Sequence, residues 1–125
     1  MSFGAERMIE DLKSLGFDRA SLIKDVENTT YALIPDYKIP AGSFEGTFVD
    51  LAIPTPSDFP RSTGASIHIR RNPHLVGFGN VPGVRNVIVS KLGTEWQYWS
   101  YRFILSSTTP TSQLLSQING IFRKN

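Results

Sequence analysis

The sequence predicts an α+β domain: an N-terminal helix, an antiparallel meander sheet, a long irregular region and a C-terminal helix. Three observations lead there. Apolar residues recur at helical spacing only near the two ends, β-branched and aromatic residues alternate or cluster between them, and glycine and proline interrupt the middle at short intervals. One domain spanning 1–125 is expected. A chain of this length buries roughly two-thirds of the surface that its unfolded form exposes, which makes a core possible without disulfides or a structural metal.

The elements follow in order. Ala5, Met8, Ile9, Leu12 and Leu15 form one helical stripe opposite Glu6, Arg7, Glu10, Asp11 and Lys13, with Gly16 as a stop. Ser21 to Ile34 reads as two strands around a turn at Glu27-Asn28, or as one long bent strand. Pro35 to Gly42 reads as a turn-rich link. Thr47, Val49, Leu51 and Ile53 alternate with Phe48, Asp50 and Ala52, the period of a strand with one face inward. Pro54 to Pro60 is too proline-dense for a sheet interior or a helix. Ser66 to Arg70 is a short strand with Ile67 and Ile69 on one face and His68 on the other. Arg71 to Gly83 reads as a loop, and loops of that length inside a domain are often functional. Val84 to Val89 is strand-like, and five of the chain's aromatics fall between Trp96 and Phe103. Thr109 as N-cap and Pro110 at the first helical position open a final helix with Leu114, Leu115, Ile118, Ile121 and Phe122 as its buried stripe.

Cysteine is absent, which excludes disulfide scaffolds, thiolate zinc or iron–sulfur sites and any thioester intermediate on this chain. No leader-like apolar segment and no run of about 18 apolar residues is present, so a cytoplasmic, membrane-independent protein is expected. Residues 1–58 carry ten acids and five bases, while the remainder carries eight bases and one acid, Glu95. That asymmetry predicts a dipolar molecule whose positive half steers acidic partners, or simply an uneven solvated surface.

Phosphate-binding loops, dinucleotide fingerprints, His-Glu-x-x-His pairs and nucleophile elbows are all missing. His68 and His74 lack a nearby carboxylate cluster, so they read as surface or loop histidines rather than metal ligands, and no cofactor is expected. The aromatic run at Trp96, Tyr98, Trp99, Tyr101 and Phe103, with Arg70, Arg71 and Arg85, has the composition of a single-stranded nucleic-acid platform. Core packing is the favoured reading of those rings. Ser90 ends the run Val87-Ile88-Val89 and is inert unless a base activates it.

Taken in order, Leu33 to Gly42, the strand Phe48 to Ile53 with Pro54 and Phe59-Pro60, then Trp96 and Trp99 to Arg102, and the closing helix resemble the prokaryotic ubiquitin-conjugating-enzyme-like family E. The resemblance implies a ubiquitin-conjugating-like fold in a modification pathway with a ubiquitin-like protein, an activating enzyme and a metal-dependent deconjugating peptidase as partners. It places Val87 to Leu92 where the catalytic cysteine would lie. This chain has none there, and Asn72-Pro73-His74 stands in place of the His-Pro-Asn tripeptide of the eukaryotic enzymes. Three readings stay open: a non-catalytic docking component, an oxyester-forming enzyme using Ser90 with His74 or His68 as base, or a chain whose native cysteine has been exchanged. The expected partner-binding residues are Arg70, Arg71, Arg85, Trp96, Trp99 and Arg102.

Overall fold

A computed structural model describes residues 3–105 and 108–125; Met1 and Ser2, part of the stretch read for a leader, lie outside it. Helix α1 (Gly4–Ser14) precedes seven strands: β1 (Ser21–Lys24), β2 (Thr30–Lys38), β3 (Phe48–Pro54), β4 (Ser66–Arg70), β5 (Gly79–Val81), β6 (Val84–Ser90) and β7 (Gly93–Ser100). Helix α2 (Pro110–Arg123) closes the chain. All seven strands form one antiparallel sheet in the order β1-β2-β3-β4-β7-β6-β5. The first four strands run as a meander. The chain then crosses to the far edge and returns through β5 and β6, so that β7 docks against β4. The expected single meander is therefore two, joined along β4 and β7.

Strand alternation sorts side chains onto two faces. One face gathers Ala32, Ile34, Tyr37, Val49, Leu51, Ile53, Ile67, Ile69, Val87 and Trp99, and both helices bury their stripes in the same cluster. Met8 and Leu12 come from α1, and Leu114, Leu115, Ile118, Ile121 and Phe122 from α2. The helices are tied directly, because Thr111 donates its hydroxyl to Asp11 at 2.7 Å while Arg7 donates to the same carboxylate oxygen at 2.9 Å. No helix among the described residues is long and apolar enough to cross a membrane.

Several local expectations are corrected. Leu15 ends α1 as its C-cap and is exposed, since Gly16, at φ 102°, turns the chain before the stripe can continue. Pro35 to Lys38 belongs to β2 rather than to a link. The pairing slips by one residue between Ile34 and Tyr37, a bulge that accommodates Pro35, which has no N–H to give the ladder, and the Asp36 N–H bonds the Asp50 carboxylate at 3.0 Å instead. The irregular stretch 71–83 contains β5, which pairs with β6 at Gly79↔Val87 and Val81↔Val84. Thr109 stands at the N-cap of α2, but its side chain makes no capping bond.

Candidate functional site

The face of the sheet opposite the helices builds the site. Its cross-strand row runs Leu33↔Ala52↔His68↔Tyr98↔Ile88, one residue from each of β2, β3, β4, β7 and β6. Ala52 is the small member. Its methyl group leaves room for Tyr31 of β2 to reach over β3 and meet the His68 ring edge-on at 4.8 Å, while Tyr98 meets it from the other side at 5.2 Å. Tyr31, Ala52 and Trp96 form a second small core there, with Ile23, Leu33 and Leu92 packed around it.

His68 is therefore neither a surface nor a loop histidine: it is only 3% exposed. Both ring nitrogens have partners. Nδ1 lies 2.6 Å from Ser90 Oγ and Nε2 lies 2.9 Å from Ser66 Oγ, giving a continuous chain Ser66–His68–Ser90. Ser90 Oγ also accepts the Leu92 N–H at 3.1 Å, which pins the β6–β7 turn down onto the open face. Burial pushes the His68 imidazole down to about 4, so it is neutral at physiological pH.

The sheet curls enough for its distant turns to meet. Asp25 organises the β1–β2 turn by accepting the N–H groups of Glu27 and Thr29 at 2.8 and 3.1 Å, and it accepts the Tyr31 hydroxyl at 2.7 Å. From that turn Glu27 reaches Lys91 of the β6–β7 turn in an ion pair across the open face. Burial alone would raise the Asp25 carboxyl, but the bonds from Tyr31, Thr29 and Glu27 and the Lys91 charge hold it below its ordinary value. Tyr31 is pushed up by burial and by the Asp25 carboxylate that it bonds. Beneath this bridge lies a pocket of about 440 Å³, lined among others by Tyr31, Ser66, His68, Ile88, Lys91 and Tyr98. Pockets of this size, apolar with a few convergent polar groups, are typical ligand sites. Ser66 opens onto it and Ser90 does not.

The structure joins Ser90 to His68, one of the two bases considered, and places His74 elsewhere. His74 lies edge-on to Phe78 at 5.3 Å, beside a smaller recess shared with Arg71, Thr94 and Glu95. Trp99 is fully buried against Phe122 of α2 and cannot touch a partner, which corrects its place among the binding residues. Trp96 is buried as well, beneath the Arg70 guanidinium at 4.9 Å, and Arg70 is itself held by Asp50 at 2.7 Å. Neither indole is free to stack on a base. Arg71, Arg85 and Arg102 remain at the surface, Arg71 half-buried and the other two exposed.

Sequence reasoning missed Ser66, Tyr31 and Tyr98 as pocket residues. The alternation of Ser66, His68 and Arg70 already put them on one face. Nothing local showed that β2 and β7 would wall that face with tyrosine rings. Among the described residues no three His, Asp or Glu side chains gather into a metal-binding group. Compared with family models, curated proteins and solved structures, the chain matches none.

Proposed function

We propose that this chain is a cysteine-free, ubiquitin-conjugating-like component of a prokaryotic ubiquitin-like modification pathway, which docks the ubiquitin-like protein or its activating enzyme rather than carrying a thioester. The observation that supports this reading most is the order of parts. An N-terminal helix leads into a four-strand meander, the Phe59-Pro60 turn separates β3 from β4, and a closing helix packs on the same sheet face as the first. These are the positions that the family resemblance assigns to those motifs.

The absence of any thiol removes covalent thioester transfer on this chain, and a docking role requires none. Arg85 on β6 and Arg102 after β7 offer exposed positive charge to an acidic partner surface. Titration calorimetry with a prokaryotic ubiquitin-like protein and its activating enzyme tests the reading. Binding to one of them is expected, weakened about tenfold or more by Arg85→Glu together with Arg102→Glu, a loss of roughly 1.4 kcal/mol or more. Absence of binding to both proteins overturns it.

A further inference from the structure

We propose that Ser66 is an acyl-accepting nucleophile, with His68 as its general base and Ser90 as the residue that positions the imidazole, in a pocket shaped for small neutral or cationic acyl esters. The proposal does not rest on the docking reading. It rests on three hydrogen-bonded side chains from β4 and β6 meeting at one cavity wall.

A hydroxyl becomes a nucleophile when a base lies within hydrogen-bond reach and a third group fixes that base. Ser66 Oγ lies 2.9 Å from His68 Nε2, and His68 Nδ1 lies 2.6 Å from Ser90 Oγ. In the tautomer with the proton on Nδ1, Ser90 accepts that N–H and Nε2 is left as the acceptor for Ser66. Ser90 is held in turn by the Leu92 N–H at 3.1 Å. Tyr31 and Tyr98 clamp the ring edge-on from both sides, so the imidazole cannot rotate out of line. Of the three chain members, Ser66 and His68 line the pocket. The attacking hydroxyl and its base thus face the same space.

The reaction balances with water as the only co-reactant. As the Ser66 Oγ–carbon bond forms, the hydroxyl proton passes to His68 Nε2. The bond from the acyl carbon to the leaving oxygen then breaks, and that oxygen takes the proton from Nε2. A water attacks the acyl–Ser66 ester, giving a proton to Nε2; the acid departs and Ser66 Oγ recovers the proton. Tyr98, on the same wall, brings a phenolic O–H for the carbonyl oxygen.

The lining sets the substrate class. Pro54, Ile88 and Val89 supply apolar wall for an acyl group, and about 440 Å³ admits a small ester. Asp25 and Glu27 stand at the mouth with Lys91 committed to Glu27, so the rim is negative on balance and disfavours anionic esters.

The test uses the full chain with 4-nitrophenyl acetate, following nitrophenolate release and mapping the acetylated peptide by mass spectrometry. The expected result is acetyl on Ser66 and release at least tenfold faster than by Ser66→Ala or His68→Gln. Ser90→Ala is expected to lower kcat and leave KM unchanged, as suits a positioning residue. Circular dichroism confirms that each variant is folded, and Ser66→Ala removes only one buried hydroxyl should His68→Gln fail to fold. Equal rates for the wild-type chain and Ser66→Ala, or acetyl found on Ser90 or Lys91 in place of Ser66, overturn the proposal.

Discussion

At the scale of single residues, His68 carries the largest measurable consequence. Above pH 6.5 both the folded and the unfolded chain hold it neutral, and between 6.5 and about 4 only the unfolded chain binds the proton. Stability therefore falls as pH drops through that window and levels off below it, with a total loss of about 3 kcal/mol. Urea unfolding at intervals from pH 7 to 4 measures the slope, and the step is expected to vanish in His68→Gln. Asp25, held below 3.8, contributes in the same direction but at lower pH, which keeps the two effects apart. The alternation in Ser66-Ile67-His68-Ile69 made the facing of His68 legible from sequence. Its burial was not legible, because it depends on Tyr31 and Tyr98, which arrive from other strands through register.

At the scale of elements, the C-terminal helix is seated by a close backbone approach. Gly42 has φ 84°, and a Cβ there would fall on the Phe122 carbonyl oxygen at the end of α2, while the neighbouring Ser43 N–H bonds the Asn125 carbonyl at 2.6 Å. Gly42→Ala is expected to cost about 3 kcal/mol, combining left-handed strain with displacement of the helix end. Thermal melting gives the loss, and amide exchange in α2 shows whether the helix end lifts first. The two helices were legible because their stripes need only local periodicity: Met8 and Leu12, like Leu114 and Ile118, are buried as the spacing requires. The bulge at Pro35 and strand β5 were not. A three-residue strand that opens on Gly79 and stops before Pro82 exists only because β6 is there to pair with it, and Pro35 sits in a strand only because the ladder slips around it.

At the scale of the whole molecule, the charge division along the chain is partly undone by folding. Asp50 pairs with Arg70 and Glu27 with Lys91, so two ion pairs join the acid-rich half to the base-rich half. With Trp99 in the core and Trp96 beneath Arg70, no stacking platform faces outward from either indole. Fluorescence anisotropy with a single-stranded oligonucleotide is expected to show no binding that falls steeply with salt, the dependence that phosphate contacts impose. The open sheet face has a further consequence through the Glu27–Lys91 tie. Its partners are 59% and 60% exposed, so it is a weak clasp. At about 1 M salt, where charges are screened within roughly 3 Å, that clasp lets go while the strand ladder beneath it stays shut. Ionic strength then governs the gape between two hairpin fingertips, and a visitor enters without any strand having to melt.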